Sequence, residues 1–146
     1  MAEAGEGGVT VVDANAKSRP WKTLVSESAA RVHSGPLLEG PLAVEFLFQV
    51  PRPQGHFGKR GLLRSAPAFP TVRPDVLKLA RAVEDALTGV LYRDDSQIVD
   101  ELLLKRYGER ARLRVTIDRP ADYIAALPRL HAEEEPAALI PEEAVR

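Results

Sequence analysis

The sequence of 146 residues contains no cysteine, few aromatic residues and no long apolar run. The absence of cysteine excludes disulfide bonds, thiolate metal sites and cysteine nucleophiles, and it agrees with a reducing compartment. No stretch approaches the roughly 20 apolar residues that a membrane-spanning helix needs, and the first residues lack the charge and hydrophobicity of a signal peptide. We therefore expect a cytoplasmic protein without membrane attachment.

Aromatic residues make up only 5% of the chain, although 45% of its residues are hydrophobic. A chain of this length fits one domain, and a domain this small buries a limited fraction of its surface. Dimerisation is therefore a natural source of additional stability. We expect a folded domain at residues 9–127, a disordered N-terminus at residues 1–8 and a flexible acidic tail at residues 128–146.

The sequence also lacks the positive net charge that is common in DNA-binding proteins. Its formal net charge is −1. The charges are nevertheless segregated along the chain. Residues 51–81 contain seven basic residues and one acid, a net charge of +6, whereas residues 128–146 contain five acids and two arginines. A segment of +6 attracts a polyanion whatever the total charge of the protein. A solvated, arginine-rich loop without any such role remains the alternative.

Apolar periodicity predicts both strands and helices. Strands are predicted where apolar residues alternate or cluster, at residues 9–12, 41–50, 97–107 and 111–117, with residues 108–110 closing a hairpin between the last two. The first helix is predicted from a cap at Ser18, with Pro20 in its first turn, to about His33. Residues 51–74 form a long basic loop, and loops of that length are usually functional or disordered.

The second helix is predicted at residues 75–88, with Gly89 placed to end it. Its apolar residues fall on one arc when 100° is allotted to each residue. Leu77 lies off that arc and therefore has no predicted packing role.

Three carboxylates flank the second helix. Asp75 begins it, directly after the basic loop, while Asp94 and Asp95 precede the next strand. Carboxylates near positive charge suit Mg²⁺, which prefers oxygen ligands and keeps waters that a phosphate can share. Simpler interpretations stay open, because Asp75 can cap the helix and the Asp94–Asp95 pair can form a turn.

Three motifs follow one another from the end of the basic loop into the next strand. Residues 74–79 are Pro-Asp-Val-Leu-Lys-Leu, residues 85–89 are Asp-Ala-Leu-Thr-Gly, and residues 94–98 are Asp-Asp-Ser-Gln-Ile. They resemble the signature of the RusA family of crossover junction endodeoxyribonucleases. That signature contains Pro-Asp-x-Asp-Asn/Lys-Leu, a lysine or arginine, Asp-Ala-Leu-x-Gly and Asp-Asp-x-Gln-Val/Ile, in this order. The resemblance covers residues 9–117.

The resemblance implies an α+β fold with a small mixed β-sheet packed against two main helices. It also implies a homodimer that nicks opposite strands of four-way (Holliday) junction DNA in recombination and repair, with Mg²⁺ or Mn²⁺ as cofactor. The implied catalytic residues are Asp75, Asp95 and Arg81, and the implied metal ligands are Asp75, Asp94 and Asp95. The residues expected to contact DNA are Arg52, Lys59, Arg60, Arg64, Arg73 and Lys78.

Two features depart from the family pattern. Leu77 stands where the family has its second aspartate, and leucine cannot ligate a cation. The initial strand and proline-rich turn of relatives are missing ahead of Val9, so we expect either an N-terminal truncation or a subfamily without that edge strand. Two hypotheses stay open: a working nuclease in which Glu45 or Asp94 replaces the missing ligand, and a junction-binding protein with impaired cleavage. An inert structural protein would leave the segregated charges unexplained.

Overall fold

The computed structural model describes residues 8–13 and 20–120. In chain order the helices and strands are β1 (Gly8–Asp13), α1 (Trp21–Val32), β2 (Leu42–Pro51), β3 (Phe57–Gly58), β4 (Gly61–Leu62), α2 (Val76–Leu87), β5 (Ile98–Gly108) and β6 (Arg112–Asp118). Single 3₁₀ turns occur at Gln54–His56 and Asp95–Gln97. The α+β class that we predicted is confirmed.

Four strands form the main sheet, in the order β1-β6-β2-β5. Strand β2 is antiparallel to β6 and parallel to β5, so the sheet is mixed, as expected. At the centre, Val44 is paired with Ile117 on one side and with Glu101 on the other. Strands β3 and β4 form a separate two-stranded hairpin within the loop that joins β2 to α2.

The predicted hairpin between the last two strands is wrong, because β2 lies between β5 and β6. The physical reason is the composition of β2, in which five of ten residues are buried. So apolar a strand is best shielded in the middle of the sheet, where neighbours cover both of its edges. Residues 109–111 therefore cross over the end of β2 instead of forming a turn between paired strands.

The core lies between one face of the sheet and the two helices. Its sheet side includes Phe46 and Leu113, and its helix side includes Val25 of α1 and Val83 of α2. The apolar arc predicted for α2 is the buried one, since Ala80, Val83, Ala86 and Leu87 are all buried. Helix α1 begins at Trp21 with Pro20 as N-cap, so the predicted cap at Ser18 is wrong.

A tight turn at Gly89 connects α2 to β5. Gly89 has φ +81°, a left-handed conformation that strains other residues, and its N–H donates to the carbonyl of Tyr92 at 2.7 Å. The buried Tyr92 hydroxyl donates in turn to the carbonyl of Glu84 at 3.1 Å. This turn reverses the chain, so that β5 runs back along α2.

Strand β1 already includes Gly8, one residue before the predicted start of the domain. The expectations for residues 1–7, for the end of the domain at residues 121–127 and for the tail at residues 128–146 lie outside the described residues. Within the described ranges, no helix is long and apolar enough to cross a membrane.

Candidate functional site

The basic loop, residues 51–74, has a defined conformation anchored to the end of β5. The Arg52 guanidinium donates to the carbonyl of Pro67 at 2.7 Å and lies 4.2 Å from the centroid of the Tyr107 ring. Leu63 N–H donates to the carbonyl of His56 at 2.9 Å and closes the base of the β3–β4 hairpin. These contacts hold the loop in one conformation, while its cations Lys59, Arg60, Arg64 and Arg73 are exposed to solvent.

Five of the six predicted DNA-contacting residues are exposed, and four of these lie on the loop. Lys59 and Arg60 occupy the turn between β3 and β4, and Arg64 and Arg73 follow on the same segment. Arg52 differs, because its half-buried guanidinium is occupied by contacts within the loop. The exposed cations give the loop a basic surface, whereas the Arg52 guanidinium makes contacts within the loop.

The end of the basic loop is fixed by Lys105 of β5. Its ammonium group donates to the carbonyls of Val72 and Pro74 at 2.7 and 3.1 Å. Asp75 follows as the N-cap of α2, but its side chain makes no capping hydrogen bond. The carboxylate instead lies 3.8 Å from Lys78, an exposed pairing that contributes little to stability. The simple capping interpretation of Asp75 is therefore wrong for its side chain.

Asp94 and Asp95 have different roles in the turn that precedes β5. Asp94 accepts the Ser96 N–H at 2.8 Å and forms a capping box with Gln97. That backbone hydrogen bond is the main reason why the pKa of Asp94 is lowered. The turn interpretation therefore holds for Asp94, while Asp95 is the exposed first residue of the 3₁₀ turn.

Gln97 ties this turn to the segment that leads into β2. Its side-chain oxygen accepts the N–H groups of Arg93 and Asp94 at 3.0 and 3.1 Å. Its side-chain nitrogen donates to the carbonyls of Leu38 and Gly40 at 2.9 and 3.0 Å. This glutamine belongs to the motif at residues 94–98, but the motif alone does not indicate what it does. Its role is to hold the two aspartates in place.

Replacing Gln97 with alanine should destabilise the protein by about 2 kcal/mol, because it leaves two N–H groups and two carbonyls without their partner. Urea unfolding followed by circular dichroism measures the effect. Gln54→Ala, on an exposed 3₁₀ turn, is the matched control and should change the free energy of unfolding by less than about 0.5 kcal/mol. Equal stability of the two variants would show that the four hydrogen bonds do not fix the turn.

An acidic patch that was not predicted from the sequence surrounds Asp95. Burial raises the pKa of Glu84 to about 7, helped by a carboxyl–carboxylate hydrogen bond with Glu101 and by the charges of Glu101 and Asp95, while Arg81 acts in the opposite direction. Glu84 is on α2 and Glu101 is on β5. Their proximity depends on how the helix packs across the strand, so no spacing along the chain could reveal it.

Asp75 and Asp95 lie at opposite ends of α2 within one protomer. Just before the helix, the carbonyl of Pro74 accepts a hydrogen bond from Lys105 of β5. Near the other end of the helix, Glu84 is hydrogen-bonded to Glu101 of β5. Lys105 and Glu101 are four residues apart on β5, which corresponds to about 13 Å at 3.3 Å per residue. The structure therefore brings Asp94 and Asp95 together, but it does not bring Asp75 to them.

Residues 8–13 and 20–120 contain no group of three or more acidic or histidine side chains that could hold a metal ion. The donor chemistry nevertheless fits Mg²⁺ or Mn²⁺, because exposed carboxylate oxygens are present at both ends of α2. Mg²⁺ is typically held by one or two protein carboxylates together with phosphate oxygens and waters. Of the expected ligands Asp75, Asp94 and Asp95, the last two lie close together within one protomer.

Leu77 is 70% exposed, which confirms the prediction that it lies off the apolar face of α2. Neither expected substitute ligand is beside it. Glu45 alternates with the buried Val44 and Phe46 along β2, so it lies on the sheet face away from the helices. Asp94 belongs to the turn at the far end of α2. The hypothesis that either residue replaces the missing ligand within one protomer is wrong.

Comparison with known proteins identifies relatives of this chain. The model of the family described as Endodeoxyribonuclease RusA matches residues 4–118. An uncharacterized protein of Bacillus subtilis (strain 168), YqaN, is 33% identical over 110 residues, which cover 70% of this chain and 74% of that protein. The match to the family includes the basic loop, α2 and the turn at Asp94 and Asp95.

Proposed function

Because the chain belongs to the RusA endodeoxyribonuclease family, we propose that it resolves four-way (Holliday) junctions in DNA recombination and repair. The reaction is the metal-dependent hydrolysis of a phosphodiester bond. The observation that carries the proposal is the ordered basic loop, which leads directly into Asp75. The carboxylate of Asp75 makes no capping hydrogen bond to α2. This arrangement supports the proposal, because phosphates bound by the exposed cations of the loop would lie next to Asp75.

Lys59, Arg60, Arg64 and Arg73 hold the arms of the junction through their phosphates. Exposed cations on an anchored loop bind DNA without reading its sequence, because they displace condensed counterions from the backbone. Such binding follows the shape of the DNA, which a four-way junction and a linear duplex do not share.

Replacing Arg60, Arg64 and Arg73 together with alanine should weaken junction binding and flatten its dependence on salt. For every phosphate that the variant no longer neutralises, the slope of log K against log salt should fall by about 0.9. Fluorescence anisotropy over a salt series measures the slope. A triple substitution of Lys22, Arg31 and Arg114, which are exposed outside the basic loop and the turn at Asp94 and Asp95, is the control. If the loop variant kept the parental slope, the basic loop would not be the binding surface.

We further propose a homodimer in which each cleavage centre combines Asp75 of one protomer with Asp95 of the other. The separation of the two residues along α2 supports this arrangement, because one protomer cannot bring them together. A two-fold dimer then has two equivalent centres, which match the two strands to be nicked. Sedimentation at micromolar concentration tests the assembly, and a species of only 16.0 kDa would contradict it.

A bound Mg²⁺ or Mn²⁺ would activate water and offset the charge that develops on the phosphate. In such a dimer, Asp75 of one protomer and Asp94 and Asp95 of the other would supply its oxygen ligands. Arg81 is exposed, and its positive charge partly offsets the rise in the pKa of Glu84, so its guanidinium lies near the acidic patch. We propose that it contacts a phosphate oxygen there and holds the DNA backbone near Asp95.

A second candidate function is junction binding with impaired cleavage. The observation that favours it is Leu77, an exposed leucine where the family has an aspartate. Both candidates share the basic surface and therefore predict junction binding. Incubation with a synthetic four-way junction, with and without Mg²⁺, separates them, because only the first candidate produces nicks.

A further inference from the structure

The four phenylalanines of the chain fall into two groups. Phe46 and Phe48 are buried in the core, whereas Phe57 and Phe69, both in the basic loop, are 50% and 55% exposed. Apolar side chains of this size are normally withdrawn from water, and exposed ones that cluster usually mark a binding surface. Leu62, paired with Phe57 across the β3–β4 hairpin, is exposed as well.

An open cleft of about 420 Å³ lies between the hairpin and the end of β5. Its walls include Arg52, Phe57, Leu62, Ala68, Arg106 and Tyr107. Glu109 also lines the cleft, and it contributes one negative charge beside the positive charges of Arg52 and Arg106. The volume falls within the range of roughly 300–1,000 Å³ that is typical of small-ligand pockets.

Planar side chains in this region contact one another in pairs. Arg52 lies 4.2 Å from the centroid of Tyr107, and the His56 ring meets Tyr107 edge-on at 5.5 Å. Arg106 lies 5.0 Å from the centroid of the exposed Phe69. Guanidinium groups stacked on aromatic rings, next to a further exposed ring, are the groups on which unpaired nucleobases stack. A base entering the cleft would replace water on the Phe57 ring.

We infer that this cleft binds an unpaired base of the junction DNA, with Phe57 as its stacking partner and Arg106 as the cation nearest its phosphate. The inference rests on the proposed function and extends it to the recognition of the crossover. The positive charge of the loop favours a nucleic acid over a peptide as occupant. Bases at the point of strand exchange can leave their stacks, whereas bases within a linear duplex stay paired, so the cleft contributes to the choice of junction over duplex.

Phe57→Ala should lower the affinity for a four-way junction about tenfold, in line with the effect of removing one stacked base. Affinity for a short oligothymidylate should fall by a similar factor, while affinity for a matched linear duplex should stay within about twofold. Phe57→Tyr keeps an aromatic face and should bind the junction as the parent does. Val32→Ser removes an apolar side chain that is exposed on α1, away from the loop, and is the control. Fluorescence anisotropy gives all affinities.

The outcomes separate the inference from the function on which it rests. A parent protein that binds junction and duplex equally would contradict the proposed function. A parent that prefers the junction, together with a Phe57→Ala variant that keeps the full preference, would overturn the inference alone. A Phe57→Tyr variant as weak as Phe57→Ala would also overturn it, because an aromatic face at this position would then not be sufficient for binding. Because Phe57 is half exposed, unfolding midpoints of the variants should match the parent.

Discussion

Asp75→Asn and Asp95→Asn should each lose junction nicking, and the two inactive variants should regain it when they are refolded together. Each single variant is expected to cleave at least about 100-fold more slowly than the parent, the lower end of the effect of a well-placed catalytic group. The mixture should recover about a quarter of the parental rate, because half of its dimers are mixed and each mixed dimer has one intact centre.

The reason for the recovery is the position of the two aspartates at opposite ends of α2. If a cleavage centre draws Asp75 from one protomer and Asp95 from the other, a mixed dimer contains one centre with both substitutions and one with none. The intact centre nicks one strand only, so the product should be singly nicked junction. Denaturing gels with each strand labelled in turn resolve this product from a resolved junction.

Asp85→Asn is the matched control for these variants. Asp85 is an exposed acid on the same helix, and its carboxylate lies 3.3 Å from Lys22. This substitution should leave nicking at the parental rate. Inactive single variants with no recovery in the mixture would contradict a shared centre and would place each aspartate in a centre of its own protomer. Binding measured beside nicking shows that the variants still recognise the junction.

Leu77→Asp should raise the rate of junction nicking by at least about tenfold. The substitution restores a carboxylate two residues from Asp75, where the family signature has one, and each added oxygen ligand favours binding of a divalent cation. It should cost little stability, because Leu77 is 70% exposed. An acid in the first turn of a helix also interacts favourably with the helix dipole.

Leu77→Asn is the control that matches aspartate in size without its charge, and it should not raise the rate. Asp75→Asn in the Leu77→Asp background should abolish the gain, because the new ligand needs its neighbour. The account of Leu77 fails if the aspartate variant folds, binds the junction and cleaves no faster than the parent. Initial rates at saturating Mg²⁺ and at limiting Mg²⁺ show whether the gain comes from metal binding.

Local patterns were sufficient to predict most elements and the exposure of one unusual residue. The alternation in β2 and the apolar arc of α2 each report which side of an element is buried, and Leu77 was placed on the exposed side by the same periodicity. The order of the strands was not predictable in this way. The short connection after Gly108 favours a hairpin, but tertiary packing places β2 between the two strands.

The candidate site shows the same division between local and tertiary information. The motif at residues 94–98 predicts a turn with exposed acids, and the structure contains it. The spacing of residues along the chain could not predict how separate elements meet. It predicted neither the pairing of Glu84 with Glu101 nor the separation of Asp75 from Asp95 along β5. The role of Gln97 is also tertiary, because its partners Leu38 and Gly40 precede it by almost 60 residues.

Cleavage of a four-way junction labelled at one 5′ end at a time, with Mg²⁺ or with chelator, tests the central claim most directly. The account predicts nicks in two opposite strands at symmetry-related positions, only with the metal, and no cleavage of a linear duplex of the same sequence. Binding without any nick would contradict the nuclease and leave a junction-binding protein. Equal cleavage of junction and duplex would contradict its specificity for four-way DNA.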